Sequence, residues 1–220
     1  MKFYANQLFH IYNQGNNQRQ IFFSDENYEF FLFRLRGSLS PFGDFVSYCL
    51  MPNHFHLLFF VRQLEVSREV FYQSRDAIEW KRRQRKYGSK AIPIGERQLS
   101  TEKKKELVSI NSTIGQIQKG YTRAVNAEKG WSGSLFRAHC KVKDGMINDY
   151  VTTEDEGKES KFDFNNAYAR TCIRYIHDNP VKAQLVHNPE EYKWSSAKEY
   201  AGLRKGTLCN LDIGKKILKG

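Results

Sequence analysis

Two histidines, His54 and His56, stand two residues apart in the stretch Met51-Pro52-Asn53-His54-Phe55-His56-Leu57-Leu58-Phe59-Phe60. Pro52-Asn53 signals a turn, and the apolar run behind it, through Val61, reads as a buried strand. Side chains alternate faces along a strand, so both imidazoles project from one side and Phe55 from the other. Neighbouring imidazoles on one face can chelate a metal, histidine being the commonest neutral ligand. The same pattern also suits two half-buried polar residues satisfied by hydrogen bonds, so the rest of the chain must decide.

The elements that would hold this strand follow from periodicity. Tyr4 to Asn13 reads as a strand, with His10 in a core or edge role, and Gln14-Gly15-Asn16-Asn17 as a turn. Ser24-Asp25-Glu26 opens a helix whose residues Tyr28, Phe31, Leu32, Leu35 and Leu39 form one face. Phe45 to Met51 forms a hairpin with the histidine strand. Ser67 to Tyr87 is helical and ends in Lys81-Arg82-Arg83-Gln84-Arg85-Lys86, a solvated face or a track for a phosphate backbone. A helix is expected from Thr101 to Glu128, with Leu107, Ile110, Ile114, Ile117, Tyr121 and Val125 on one stripe. Gly120 beside Tyr121 suggests a close backbone approach or a local need for mobility, and Gly130 a stop. Ser134 to Lys143 reads as a fourth strand, Asp144 to Asp163 as an insertion or loop, and Asn166 to Asp178 as a helix ending at Asn179-Pro180. A serine of Tyr192-Lys193-Trp194-Ser195-Ser196 caps a short last helix.

Composition narrows the class. The 220 residues carry a formal net charge of +11, which suggests a polyanionic partner, nucleic acid before membrane. No apolar run approaches the roughly 20 residues needed to span a bilayer. The N-terminus lacks an apolar signal-peptide core, which leads us to expect a cytoplasmic protein. Cys49, Cys140, Cys172 and Cys209 are scattered and read as single buried thiols in a reducing compartment, not as a disulfide framework or a zinc site.

Several separated motifs together carry a resemblance. Leu50-Met51-Pro52-Asn53-His54-Phe55-His56-Leu57-Leu58 looks like the HUH signature (His, hydrophobic, His) of the single-tyrosine transposases. Gly120-Tyr121-Thr122-Arg123-Ala124-Val125-Asn126 resembles their nucleophile helix, and Gly133-Ser134-Leu135-Phe136-Arg137 the strand entry behind it. Tyr175-Ile176-His177-Asp178-Asn179-Pro180-Val181-Lys182-Ala183, with Tyr192 to Ser196, is similar to the C-terminal portion of the REP-associated tyrosine transposases. Where that branch usually carries Arg-Gly after its first strand, Gln14-Gly15 stands here.

The resemblance implies an α+β fold: a ferredoxin-like antiparallel sheet with helices on one face, plus inserted helices. It implies one domain over residues 1–196, with insertions at about 64–100 and 144–163 and a tail over 197–220. Tyr121 would be the nucleophile, and His54 and His56 the ligands of Mg2+ or Mn2+. Related transposases place an amide or acid one helical turn beyond the tyrosine; Val125 stands there, so Asn126 is taken as third ligand, with Gln118 or water as alternatives. The reaction would be cleavage and rejoining of single-stranded DNA at hairpin-forming palindromes through a covalent 5′-phosphotyrosine, by a monomer or homodimer. Arg123, Arg137, Lys141 and Lys143 would contact phosphates, and Trp131 or Phe136 would stack on bases. Two other readings stay open: a non-catalytic nucleic-acid hairpin binder, and a metal-dependent hydrolase or nucleotidyl transferase using histidines and water. Histidine-triad chemistry is disfavoured, because Leu58 stands where a third alternating histidine belongs.

Overall fold

The structure is a computed structural model and describes residues 2–95, 97–144, 163, 165–206 and 208–219. In chain order its main elements are β1 (Gln7–Gln14), α1 (Asp25–Leu39), β2 (Gly43–Met51), β3 (His54–Val61), β4 (Glu65–Ser67) and α2 (Arg68–Tyr87). There follow α3 (Thr101–Lys105), β5 (Leu107–Ser109), α4 (Ile110–Lys129), β6 (Lys141–Asp144), α5 (Ala167–Lys182), α6 (Ala197–Tyr200) and α7 (Leu211–Lys219). The chain divides into two compact units. Met1–Ser24, Asp44–Arg62 and Gly133–Gly220 form the first; Asp25–Gly43 and Gln63–Ser132 form the second.

The first unit is built on a four-stranded sheet of order β2-β3-β1-β6. β1 pairs antiparallel with β3 and with β6, and the two-residue Pro52-Asn53 turn makes β2 and β3 a hairpin. This is the ferredoxin-like strand order, the architecture expected from the sequence. Tyr12 stands opposite His56 and His10 opposite Leu58, so Leu8, His10, Tyr12, His54, His56 and Leu58 share one face. Helix α5 covers that face through Cys172, Ile173 and Ile176, packed with Leu8, Leu58, Val46, Cys49 and Met51. Ile217 of α7 joins the same core, so residues expected to form a tail are part of the domain.

Two expectations in this unit change. The strand expected over Ser134 to Lys143 is regular only from Lys141; before it, Leu135 and Phe136 are buried, Phe136 forms an isolated bridge with Gly15, and the Arg137 N–H donates to the Gln14 carbonyl at the end of β1. Helix α5 runs through Pro180 to Lys182, because a proline near a helix end removes one N–H bond without ending the coil. Gly15 has a local cause: a Cβ there would lie 2.1 Å from the Arg19 carbonyl oxygen. Of the expected loop, residues 145–162 lie outside the described residues.

The second unit packs α1 against α2 and α4. Tyr28, Phe31, Leu35 and Leu39 of α1 are buried, with Leu32 only half-buried. Gly120 of α4 accommodates Arg34, whose Nη2 would lie 2.4 Å from an added Cβ, which accounts for that glycine. The single helix expected over 101–128 is broken at Glu106. Ser100 and Ser109 each cap a separate helix, and Leu107–Ser109 pairs with Glu65–Ser67 instead. Leu107 thereby leaves the buried stripe and is exposed, while Gly130 ends α4 in the left-handed region at φ 67°. All four cysteines are free, and no helix among the described residues is long and apolar enough to cross a membrane.

Candidate active site

The two histidines open β3 on the face that α5 covers. Their rings lie 5.0 Å apart, centroid to centroid, and nearly perpendicular. His56 is buried, and its Nδ1 shares a 2.9 Å hydrogen bond with Nε2 of His10 on β1. Burial, then the neighbouring His10 and His54, push the His56 pKa down to about 2. His54 is half-buried; its Nδ1 lies 2.6 Å from Asn53 Oδ1. Burial lowers its pKa against an opposing hydrogen bond to the Asn179 side chain. Both imidazoles are therefore neutral near pH 7, the state that binds metals.

Tyr175 and Asn179 reach this cluster from α5. They stand four residues apart, one turn, on one side of the helix. The Tyr175 ring packs edge-on to His56 at 5.5 Å and to His10 at 6.0 Å, and it is 40% exposed. Lys182, seven residues on, lies over the ring at 5.1 Å. Asn179 Nδ2 donates to the Tyr175 carbonyl oxygen at 2.7 Å, which orients the amide beside His54. An accessible phenol, two neutral imidazoles and an amide thus converge on one end of β3.

These groups can hold a divalent ion. Among the described residues no group of three or more His, Cys, Asp or Glu is arranged to do so. Two imidazole nitrogens and an amide oxygen nevertheless suit a hard ion that fills its remaining positions with water and phosphate oxygens, as Mg2+ and Mn2+ do.

Tyr121, expected as nucleophile, lies in the core of the second unit and is 0% exposed. Its ring packs edge-on to Phe31 at 5.0 Å and stacks on Phe30 at 6.3 Å. Burial, then Tyr28 and Glu128, raise its pKa above the ordinary phenol value. Asn126, expected as third ligand, is half-buried on α4, and its carbonyl oxygen accepts from Gly130 and Trp131 at the helix end. Arg123 is exposed on the same helix. On the first unit, the Arg137 side chain is exposed while its backbone is pinned to Gln14 and Asn13. Lys141 is exposed opposite Tyr12 on the histidine-bearing face, and Lys143 stands opposite His10 in the register. Trp131 is exposed, whereas Phe136 is buried 6.0 Å from Phe55. His139 lies in an exposed bend.

The sequence reading missed Tyr175, Asn179 and His10. One signal was available: the amide expected a turn beyond the tyrosine is absent at Val125 but present at Asn179, four residues after Tyr175.

The geometry defines an α+β domain with a histidine pair on a central strand of a ferredoxin-like sheet. Among solved structures, that of a REP-associated tyrosine transposase bound to a REP hairpin matches with a TM-score of 0.50 and 14% identity, over 97% of this chain and 94% of that one. The likeness shows the fold. No family model and no curated protein matches the sequence.

Proposed function

We propose that this chain cleaves and rejoins single-stranded DNA at hairpin-forming palindromes, with Tyr175 as nucleophile and His54, His56 and Asn179 as ligands of a Mg2+ or Mn2+ ion. The observation that carries this reading is the packing of an accessible Tyr175 on His56, with Asn179, one turn further along the same helix, beside His54. The nucleophile's role passes from Tyr121 to Tyr175 because an attacking phenol must meet a phosphate, and a ring enclosed by Phe30 and Phe31 with no exposed surface does not.

The Tyr175 oxygen attacks phosphorus, the bond to the 3′ oxygen breaks, and a 5′-phosphotyrosine and a 3′-hydroxyl result. The phenolic proton passes to solvent, and the departing oxygen takes one up. A bound divalent ion supplies charge neutralisation at the phosphate and Lewis acidity. Phenols ionise near pH ~10, so attack requires loss of the phenolic proton as the bond to phosphorus forms. Lys182, over the ring, places a cation beside the attacking group. With His10 Nε2 as acceptor, His56 Nδ1–H would donate and leave Nε2 to hold the ion; Asn53 Oδ1, which can only accept, would fix His54 in the same way. Arg137, Lys141 and Lys143 of the first unit, and Arg123 of the second, are proposed phosphate contacts. The neighbour in fold was determined on a REP hairpin, which supports a hairpin substrate here.

Covalent trapping tests the reading: hairpin oligonucleotides with single-stranded flanks, incubated with Mn2+, Mg2+ or EDTA and run on a denaturing gel. A metal-dependent adduct that persists in Tyr121→Phe and vanishes in Tyr175→Phe and His54→Ala is expected. An adduct lost in Tyr121→Phe alone returns the role to that residue. Binding without an adduct indicates a hairpin-binding protein, and cleavage without an adduct a metal nuclease.

A further inference from the structure

Helix α2 extends past the residues that pack it. Phe71 is its buried residue, and Arg75 and Ile78 lie against Gly37 of α1. From Lys81 to Lys90 every residue except Arg83 is exposed, yet the helix is fully formed, with Gly88 donating to the Gln84 carbonyl at its end. This stretch carries Lys81, Arg82, Arg83, Arg85, Lys86 and Lys90 and no acidic residue. Arg82 and Arg83 pair with Glu79 at 3.0 and 2.9 Å. Among the described residues Lys81, Arg85, Lys86 and Lys90 have no carboxylate partner.

The fold does not account for these charges. The tip buries no core, and Lys81–Arg85 and Arg82–Lys86 are like-charge pairs at i,i+4, each costing a helix about 0.2–0.5 kcal/mol. The helix dipole favours cations in the last turn, which covers Arg85 and Lys86 but neither Lys81 nor Lys90 beyond the cap. Tyr87, 53% exposed beneath Lys86, adds a ring at the same end. Cations lined along an exposed helix beside an open aromatic ring match a polynucleotide backbone, which offers a row of phosphates and stackable bases.

We infer that the tip of α2, through Lys81, Arg85, Lys86 and Lys90, is a second DNA-binding surface, carried on the other unit from the histidine pair and gripping phosphates without reading sequence. It rests on the DNA substrate proposed above.

The test is hairpin binding by the full chain in EDTA, measured by fluorescence anisotropy over a salt series. The variant combines Lys81→Gln, Arg85→Gln, Lys86→Gln and Lys90→Gln, glutamine being a good helix former, with helicity checked by circular dichroism. Affinity at low salt is expected to fall at least tenfold, equally for hairpins of different sequence. The slope of log K against log salt should become shallower by about two to four, near 0.9 for each phosphate no longer neutralised. Arg82→Gln with Arg83→Gln, cations already paired with Glu79, should move the slope less. An unchanged slope in the fourfold variant overturns the inference while leaving the proposed function intact. A wild-type chain that binds no DNA, or binds anionic vesicles instead, overturns both.

Discussion

Tyr121 and Tyr175 each sit on a long helix, and their surroundings differ in every respect that matters for attack on a phosphate. Tyr121 belongs to a continuous apolar stripe with Ile110, Ile114, Ile117 and Val125, closed over by Phe30 and Phe31. Tyr175 stands where the apolar side of α5, held by Cys172, Ile173 and Ile176, gives way to the histidines. The first phenol does the work of a large core side chain. The second has a solvent-facing ring, a cation over it and neutral imidazoles beneath. A tyrosine's chemistry is therefore set by what its helix face is asked to bury.

The largest effects should separate these two roles. Tyr175→Phe should abolish the covalent adduct and, the side chain being partly exposed, leave the unfolding free energy from urea denaturation within about 0.5 kcal/mol of wild type. Tyr121→Ala should do the reverse in stability, costing about 3–5 kcal/mol by opening a cavity among Phe30, Phe31 and the α4 stripe. Equilibrium unfolding beside the trapping gel checks both at once. An adduct retained in Tyr175→Phe breaks the comparison.

Much of this was legible in the sequence. The alternation of Phe55 and Leu57 against His54 and His56 put the histidines on one face, and the ferredoxin-like sheet implied by the resemblance matched the strand-helix-hairpin order. The nucleophile proposed above was not readable from local pattern, because a tyrosine on a helical stripe looks alike whether the stripe meets a core or a site. The Tyr175–Asn179 spacing discriminates between them, but only beside a strand that brings histidines to the same place. His10 is a stronger case of the same limit. Its hydrogen bond crosses 46 residues of sequence, and only the β1–β3 register sets it beside His56. The break at Glu106 escaped because Leu107 continues the helical stripe, and its pairing with Ser67 is non-local.

A second comparison, within the proposed site, concerns Asn179 and His10: one would offer an oxygen to a metal, the other would hold a ligand in place. Replacing His10 with Phe keeps a ring in the same space but removes the acceptor for His56 Nδ1. Mn2+ affinity by titration calorimetry should fall about 10–100-fold, with partial recovery in His10→Gln, which restores an acceptor. Asn179→Asp should act oppositely and tighten Mn2+ binding, because it adds an anionic oxygen beside two neutral nitrogens. Asn179→Asp binding Mn2+ no better than wild type would remove that residue from the ligand set.

The smallest effect distinguishes the two units by acid. All six histidines of the chain fall in the first unit and none in the second. Burial holds His177, beside Ser196 Oγ, down to about 4, and His56 is held at about 2. Unfolded histidines titrate near ~6.5, so below that pH the unfolded chain binds protons that these folded side chains refuse. Their contribution to stability is thus fully present above ~6.5. It is lost as pH falls toward 4 for His177 and further for His56, at no more than about 1.4 kcal/mol per unit for each. In the second unit Glu128, bonded to Asn27 and Lys129, stays ionised to below the usual carboxylate range, as does Glu79, where burial is outweighed by Arg82 and Arg83. Between pH 6.5 and 5, amide exchange in β1, β3 and α5 should therefore quicken before that in α1, α2 and α4. His177→Gln should remove part of the difference, and equal loss of protection in both units would show that histidine burial does not govern the acid response.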